Sequence, residues 1–281
     1  MTLTDLHLHS NVSDGEDTPE RLVELAAEAG VSTMALVDHD ILDGIDRARA
    51  TADGLGIEMI PGVELSVYHE QSTIHMLVYF LEPGEGPLQG RLEWLRAGRT
   101  KRNADIVELL NELGYEITVD DVLRHAGGAS VGRPHIADAL IEKYDFKIRD
   151  DVFRDLLGNG GTAYVDRERF SAVEAIELAR HSGAVPVIAH PLTINWGASE
   201  ADEAYALLAS AGLGGIEAHH PMHTIELRSH LTAVAHGLGI AATGGSDYHG
   251  ESKKRYRIGT GEGDLRVPAS AVEELKAQKG R

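Results

Sequence analysis

Short apolar runs alternate with amphipathic segments along the first 84 residues of the chain. Thr18 and Pro19 suit a helix N-cap and first helical position, and Leu22, Leu25 and Ala26 then recur at helical spacing. The pattern predicts strands at Leu3–His9, Thr33–Val37, Ile57–Ile60, Val63–Tyr68 and Ile74–Leu81, and helices at Pro19–Ala29 and Ile45–Leu55. Repeated strand–helix–strand units favour an α/β fold with a largely parallel sheet.

The pattern changes near Glu82, where the stretch EPGEGPLQG is rich in proline and glycine and indicates a boundary. Residues 88–157 are predicted to be mostly helical, and the alternation resumes at Ser171, which forms a capping-box pattern with Glu174. Further strands are predicted at Ala184–Ala189, Gly215–Ala218 and Ile240–Thr243, helices at Glu200–Ala211 and Ile225–His236, and a solvated C-terminal helix in AVEELKAQKGR. We therefore expect an α/β barrel domain over residues 1–84 and 160–281, with a small helical insertion over residues 85–159.

Titratable residues cluster directly after or near the ends of the predicted strands, which in a barrel form the functional face. The residues in these positions are His7, His9, Asp38, His39, Asp40, Glu64, His75, His190, Glu217, His219, Asp247 and His249. Each motif alone is also explained by a polar turn, a cap or a hydrogen-bonded core histidine. Their common position at strand ends is harder to explain if they are unrelated polar residues of the surface.

The grouping of these residues predicts a metal centre. His7 and His9 are two apart on a strand, so their side chains share one face and both imidazoles can reach one ion. Many histidines and carboxylates gathered at one barrel mouth are costly to bury without cations. Imidazole and carboxylate ligands suit zinc, manganese or iron. The sequence has neither a GxSxG elbow nor a Walker A loop, so a metal-bound hydroxide is the expected nucleophile.

Composition narrows the class of protein. The formal net charge is −19, which disfavours a long nucleic acid as partner but admits a small phosphorylated substrate beside cations. The chain contains no cysteine, so disulfides and thiolate ligands are excluded. Its N-terminus lacks the pattern of a secretory signal, and no apolar run approaches the roughly 20 residues of a membrane span. We expect a cytoplasmic enzyme with no membrane partner; the sequence does not set its oligomeric state.

Five motifs together resemble one known family. DLHLHSNVSDG, ALVDHDILDG, PGVELS, AHP and GGSDYHG occur in this order between residues 5 and 250, and the set is similar to that of the PHP (polymerase and histidinol phosphatase) family. Chain length and the GRPHIA stretch at 132–137 look most like the stand-alone bacterial members that act on nucleotides. Such members hydrolyse nucleoside 3′,5′-bisphosphates, and some trim short RNA from the 5′ end. The resemblance implies a distorted (β/α)7 barrel with two or three divalent ions, Mn²⁺, Fe²⁺ or Zn²⁺.

The resemblance also implies the ligand sets. His7, His9, Glu64 and Asp247 would hold one ion. Glu64 would bridge to a second ion held by His75 and His190, and Asp14, His39 and His249 would hold a third. Asp14 is a departure, because many family members have histidine there, and it puts the strength of the third site in doubt.

Substrate residues are assigned partly by the same resemblance. Arg133 of the RPH motif would bind a phosphate, with His135 beside it; a salt-bridged surface arginine is the alternative. His219, His220 and His223 lie around the EAHHPMH turn; one of them is a candidate for phosphate or leaving-group contact, and local capping or packing is the alternative for at least two. Asp40 is a candidate to orient water or protonate the leaving oxygen, or to fix an imidazole tautomer. Lys253, Lys254 and Arg255 form either a rim phosphate site or a solvated charge run.

The predicted reaction is hydrolysis of a small-nucleotide phosphate ester by in-line displacement at phosphorus, with Glu64, Asp40 and Arg133 as catalytic residues. Histidinol phosphate is an alternative substrate. An amidohydrolase-type enzyme is a second alternative. Such enzymes use a lysine on a barrel strand, and no lysine occurs before Lys101 in this chain. A non-catalytic PHP module, of the kind that supports a polymerase, is the alternative outside enzymes.

Overall fold

The computed structural model describes residues 3–70, 72–126, 131–166, 170–251 and 256–280. Seven strands form one sheet, and helices connect them. The strands are β1 (Leu3–Leu8), β2 (Val31–Leu36), β3 (Glu58–His69), β4 (Ser72–Tyr79), β5 (Val185–Ile188), β6 (Gly215–His219) and β7 (Ala241–Gly244). The helices are α1 (Pro19–Glu28), α2 (Ile45–Leu55), α3 (Pro87–Glu112), α4 (Val119–Ala126), α5 (Arg133–Lys143), α6 (Arg149–Val152), which continues into a π-helical turn (Phe153–Leu157), α7 (Ala172–His181), α8 (Ala198–Ser210), α9 (Ile225–Gly237) and α10 (Ser270–Ala277).

The strands follow chain order from β1 to β7, and all neighbours are parallel except that β4 runs antiparallel to β3 and β5. The chain that follows β7 returns to β1. The Asp247 N–H donates to the His7 carbonyl at 2.9 Å, and the His9 N–H donates to the Tyr248 carbonyl at 3.0 Å. These bonds close the sheet on itself, so the predicted distorted barrel is confirmed. Its strand ends are brought round to one mouth.

Two helix starts follow the sequence pattern. The Thr18 side chain accepts from the Arg21 N–H before α1, and the Ser171 side chain accepts from the Glu174 N–H before α7. Each hydroxyl satisfies an amide that the first turn of a helix leaves without a partner. These caps set where the chain leaves the barrel loops and enters the outer helices.

The prediction of two short strands at 57–60 and 63–68 is wrong, because β3 runs through Pro61 and Gly62 without a break. An added Cβ at Gly62 would lie 2.8 Å from the Val78 carbonyl oxygen on β4. The Pro–Gly pair therefore marks a close approach of two strands and not a turn. The continuous strand carries Glu64 on a rigid element.

The C-terminal helix is not merely solvated, as its sequence suggested. Val272 and Leu275 of α10 are 5% and 0% exposed and pack in the barrel core with Leu6, Ala35 and Leu77. Their spacing of three residues places both on one helix face. This face covers the barrel.

The chain divides into two compact units, residues 1–91 with 169–281 and residues 92–168. The predicted boundaries lie a few residues earlier along the chain. The start of α3 belongs with the barrel, since Leu88 is fully buried and its N–H donates to Ser182 Oγ at 3.2 Å. The second unit has its own apolar core, which includes Ile106, Leu110 and Leu140. Within the described residues, no helix is long and apolar enough to cross a membrane.

Candidate metal centre

Side chains from separate strands converge at the carboxyl-terminal mouth of the barrel. His7 lies on β1 and His9 just after it, and Glu64 and His75 lie on the paired strands β3 and β4. The remaining members come from loops: Asp14 after β1, His39 after β2, His190 after β5, and Asp247 and His249 after β7. All nine residues that were predicted as metal ligands fall into four overlapping sets whose ligand atoms lie within 4.8 Å of one another: His9, Asp14, His39 and His249; His7, Glu64 and His190; His7, His9 and Asp247; and His39, Glu64 and His75. We name the three predicted ligand sets groups A, B and C.

Group A contains His7, His9, Glu64 and Asp247. His7 Nε2 and His9 Nε2 lie 3.2 and 3.0 Å from Glu64 Oε2, and both lie 3.5 Å from Asp247 Oδ1. The two imidazole nitrogens are only 3.1 Å apart. Three of these four side chains are almost completely buried, so water does not screen them from one another.

Group B contains Glu64, His75 and His190. Glu64 Oε1 lies 2.8 Å from His75 Nδ1 and 3.0 Å from His190 Nε2. The two oxygens of Glu64 thus face different groups, Oε2 toward group A and Oε1 toward group B. A carboxylate in this position can bridge two cations.

Group C contains Asp14, His39 and His249, and the structure adds the second ring nitrogen of His9. His249 Nε2 lies 3.4 Å from Asp14 Oδ1, and His39 Nε2 lies 3.9 Å from Asp14 Oδ2. His9 Nδ1 lies 3.9 Å from Asp14 Oδ1. Asp14 is 48% exposed, which makes group C the most open of the three.

The electrostatics of the site favour ionised carboxylates and shift the imidazoles in opposite directions. Burial opposes ionisation of His7 and His190, yet Glu217 and Glu64 raise the pKa of His7 well above its usual value, and Glu64 raises that of His190. Burial opposes ionisation of Glu64, yet the imidazoles of His39, His75 and His7 hold its pKa well below the usual range. Burial also opposes ionisation of Asp247, whose pKa the facing histidines hold well below the usual range. Burial lowers the pKa of His39 to about 4, against the attraction of Glu64. Ionised carboxylate and neutral imidazole are the forms that bind metals.

The residues fit divalent cations. His7 Nε2 and His9 Nε2 lie 3.1 Å apart in a buried site, so one ion can receive both nitrogens when the two rings are neutral. His9 Nδ1 is also buried and has no hydrogen-bond partner among the described residues. Nitrogen and carboxylate donors without thiolates suit manganese, iron or zinc.

Three residues of the mouth have left-handed backbone conformations that non-glycine residues rarely adopt. The φ angles are +56° at Asp40, +25° at His190 and +54° at Asp247. Each such conformation costs about 1–3 kcal/mol and persists only where surrounding contacts impose it. The strain is concentrated where strands end at the donor groups.

The chain is similar over most of its length to characterised enzymes. Residues 5–149 match the family model of the PHP domain. The chain is 32% identical over 272 residues to phosphoribosyl 1,2-cyclic phosphate 1,2-diphosphodiesterase from Eggerthella lenta, across 95% of this chain and 100% of the relative. It is 31% identical over 250 residues to 3′,5′-nucleoside bisphosphate phosphatase from Chromobacterium violaceum, across 89% of this chain and 88% of the relative. The chain belongs to the PHP family.

A solved structure supports the same assignment. The PHP chain superimposes with a TM-score of 0.82 on a Bifidobacterium adolescentis protein inferred to be a metal-dependent phosphoesterase, at 30% identity, over 100% of this chain and 97% of that one. The predictions of a PHP fold and of a metal-dependent phosphoric ester hydrolase are confirmed. None of the seven described strands carries a lysine, which leaves the amidohydrolase arrangement without its expected ligand.

The other predicted residues of this PHP protein have the following surroundings. Asp40 is buried, and its N–H donates to the Glu64 carbonyl at 3.0 Å. In the helical unit, Arg133 Nη1 donates to the Leu157 carbonyl at 3.0 Å, and the His135 Nδ1 accepts from the Gly132 N–H. Lys253, Lys254 and Arg255 lie outside the described residues.

The three histidines of the EAHHPMH turn have different surroundings. His219 has Arg228, Glu274 and His236 of the outer helices among its charged neighbours. His223 is 2% exposed, and its Nδ1 donates to the Ala218 carbonyl at 2.9 Å. His220 is fully buried, and its Nε2 lies 3.6 Å from Asp247 Oδ2.

Three buried carboxylates support the mouth from behind; Asp38 and Glu217 were among the predicted strand-end residues, whereas Asp5 was not. Asp5 accepts the Ser246 and Gly259 N–H groups at 2.8 and 2.7 Å, and so ties β1 to the closing segment of the barrel. Asp38 accepts from the Ser10 N–H and hydroxyl and from the Ser13 hydroxyl, and anchors the loop that carries Asp14. Glu217 contacts His7. A strand-end acid in a sequence does not reveal whether it faces the ion or a neighbouring ligand.

Proposed function

We propose that this PHP protein hydrolyses a phosphate ester of a small nucleotide, with nucleoside 3′,5′-bisphosphates as the first substrate class. The observation that carries the proposal is the position of Glu64, whose two oxygens face two adjacent donor groups at 2.8–3.2 Å. Sites with two adjacent cations are suited to in-line displacement at phosphorus. A relative that matches 89% of the chain is named for the bisphosphate reaction.

Groups A and B would hold two ions, and group C would hold a third. When bound, the divalent ions supply Lewis-acid charge and generate a nucleophile from water at neutral pH. The ligand types accept manganese, iron or zinc. Because Asp14 is half exposed and stands in for an imidazole, we propose that group C binds its ion less tightly than the other two groups.

The residues around the donor groups would bind the phosphoryl group and move the proton. The His220 Nδ1 accepts the Met222 N–H, so its Nε2 carries the proton in the neutral ring and points to the side of Asp247. This N–H would donate to a phosphoryl oxygen. As the water oxygen bonds to phosphorus and the ester P–O bond breaks, Asp40 would accept the proton that the attacking water gives up and pass it to the leaving oxygen. We therefore favour His220 among the three candidate histidines of this turn.

His223 would contact a hydroxyl of the substrate. Its Nδ1–H is donated to the Ala218 carbonyl, so the Nε2 lone pair remains as an acceptor, and burial lowers the pKa of this ring to about 4. A neutral imidazole acceptor suits a ribose hydroxyl better than a phosphate. Arg133 and His135 are proposed to bind the second phosphate, as the family motif implies, since a guanidinium pairs with phosphate through two bonds.

A second candidate reaction is opening of a phosphoribosyl cyclic phosphate. The observation in its favour is the coverage of the Eggerthella lenta relative, which the chain matches along its full length. Both reactions displace an oxygen at phosphorus and place one phosphate at the ions. They differ in whether the substrate carries a nucleobase.

A substrate panel tests the proposal. Phosphate release is measured with manganese and with chelator from adenosine 3′,5′-bisphosphate, AMP, histidinol phosphate, a 5′-phosphorylated RNA and phosphoribosyl 1,2-cyclic phosphate; ring opening of the last is followed separately by chromatography. The proposal expects chelator-sensitive turnover that is highest with the bisphosphate. Preference for the cyclic phosphate would select the second candidate. No turnover of any of the five compounds by metal-loaded protein would contradict both.

A further inference from the structure

Glu217 is a carboxylate that contacts two metal-ligand residues without belonging to any of the donor groups. It lies on β6 and is completely buried. Its Oε1 lies 2.9 Å from His7 Nδ1, and its Oε2 accepts the main-chain N–H of His190 at 2.6 Å. One side chain therefore joins β6 to β1 and to the segment after β5.

The contact with His7 determines which ring nitrogen faces the ion. A carboxylate accepts but does not donate, so His7 Nδ1 must carry the proton in this bond. The lone pair is then on Nε2, the atom that faces His9, Glu64 and Asp247 in group A. A neutral His7 of the other tautomer would turn an N–H toward the ion and would not bind it.

The contact with His190 fixes a strained segment of backbone. His190 has a φ of +25°, and its Nε2 lies 3.0 Å from Glu64 Oε1 in group B. The N–H bond to Glu217 is one of the contacts that impose this conformation. Glu217 thus positions one ligand of group A through its ring and one ligand of group B through its backbone.

Both partners of Glu217 are donors, which is why a carboxylate is required. Two carboxylate oxygens satisfy the ring N–H of His7 and the main-chain N–H of His190 together. Glutamine has nearly the same shape but only one acceptor, so its NH₂ group would face one of these donors. A buried donor–donor contact is costly, and a shift of the His7 ring proton from Nδ1 to Nε2 would relieve it.

We propose that Glu217 is a positioning residue that selects the His7 tautomer and sets the His190 backbone, so that groups A and B are formed before the ions bind. Its effect on turnover rests on the proposed function, whereas its effect on metal affinity does not. Loss of the carboxylate behind a coordinating histidine lowers metal affinity by about 10- to 100-fold in such sites.

The test compares E217Q with E274Q. Glu274 makes a matched pair of contacts away from the donor groups, with Oε2 3.1 Å from His236 Nε2 and 3.0 Å from the Ala242 N–H. Cobalt affinity is measured by chelator competition, the Co²⁺ absorption spectrum is recorded, and folding is checked by circular dichroism and by thermal melting of the metal-free proteins. We expect E217Q to lose about 10- to 100-fold in cobalt affinity and to change the spectrum. E274Q should match the wild type in both.

Folded E217Q with wild-type affinity and spectrum would overturn the proposal, as would an equal loss of affinity in E274Q. If E217Q does not fold, the zinc-loaded wild-type protein decides the question by ¹H–¹⁵N NMR of the histidine rings. A hydrogen-bonded proton on His7 Nδ1 with zinc on Nε2 supports the assignment, and zinc on Nδ1 overturns it. None of these measurements needs a substrate, so failure of the proposed nucleotide reaction would be seen separately in the substrate panel.

Discussion

The barrel mouth and the helical unit bury opposite kinds of side chain. At the mouth, the carboxylates of Asp5, Glu64 and Glu217 and the imidazoles of His7 and His9 are at most 1% exposed. The core of the helical unit is made of aliphatic and aromatic residues, and many of its charges form ion pairs nearer the surface. Burying unpaired polar groups costs free energy, whereas burying apolar area supplies it. The mouth is therefore organised for binding cations, and the helical unit for its own stability.

Among variants that distinguish the barrel mouth from the helical unit, E64A and D247A are expected to have the largest effect on turnover and bound metal. Each removes a donor from group A, and Glu64 is also shared with group B, so both turnover and bound metal should fall. We expect turnover to decrease by roughly 1000-fold or more, about 4 kcal/mol of transition-state stabilisation. Phosphate release and metal content by mass spectrometry are measured together.

The control for these variants is H230A. His230 is 52% exposed and pairs with Asp202 on the surface of the barrel unit. It should retain wild-type turnover and metal content. Full activity in E64A or D247A would contradict the assignment of Glu64 and Asp247 as metal ligands.

Metal removal should weaken the barrel mouth and leave the helical unit unchanged. Ions that bind only the folded state at 1000 times their Kd stabilise it by about 4 kcal/mol. Hydrogen exchange followed by mass spectrometry, with manganese and with chelator, should show loss of protection in β1, β3 and the segment after β7. Peptides from α4 and α5 should exchange at the same rate in both conditions. Equal loss of protection in both units would contradict the claim that metal ions stabilise the barrel mouth and not the helical unit.

Apolar truncation should instead destabilise both units without changing the site. L275A removes a buried contact of α10 with the barrel, and L110A removes a core residue of the helical unit. Each is expected to cost about 2–5 kcal/mol of unfolding free energy. Denaturant unfolding measures this, and chelator competition should show unchanged metal affinity in protein that is still folded. An unchanged free energy of unfolding in L275A would support the prediction from sequence that α10 is a solvated helix.

The smallest predicted effect is a pH dependence within the helical unit. A hydrogen bond from Lys143, together with the Thr118 N–H and Arg124, holds the pKa of Asp121 well below its usual value. A depressed carboxyl pKa contributes stability above the unfolded value of about 3.9 that is lost as the pH falls further. D121N should be less stable at pH 7 and should lose less stability between pH 5 and 3 than the wild type. Denaturant unfolding of metal-free protein measures both, with D120N, an exposed neighbour, as control; equal pH slopes in D121N and wild type would contradict the assignment.

The sequence predicted the parts of the site that depend on local periodicity. Strand alternation places His7 and His9 on one face, and successive strand–helix units bring His190 and Asp247 to the same barrel end. Asp14 was assigned through family resemblance, since a loop acid has no periodicity of its own. The structure places all of them in the donor groups.

Other features depend on tertiary contacts that no local pattern encodes. The continuity of β3 through Pro61 and Gly62 follows from the close approach of β4. The bond between His7 and Glu217 joins residues 210 positions apart, and no spacing rule distinguishes it from coordination of an ion. The apolar face of α10 has only a few residues. Such a short pattern does not distinguish a helix that packs on the barrel from a solvated helix.

Manganese titration of the metal-free protein tests the central claim most directly. Bound metal per chain and phosphate release from adenosine 3′,5′-bisphosphate are measured after each addition. We predict no release from the metal-free protein and a rise that follows the filling of at least two ions per chain. Undiminished release from protein shown to contain no metal would contradict the assignment of the histidine and carboxylate groups as a metal-dependent phosphoesterase site.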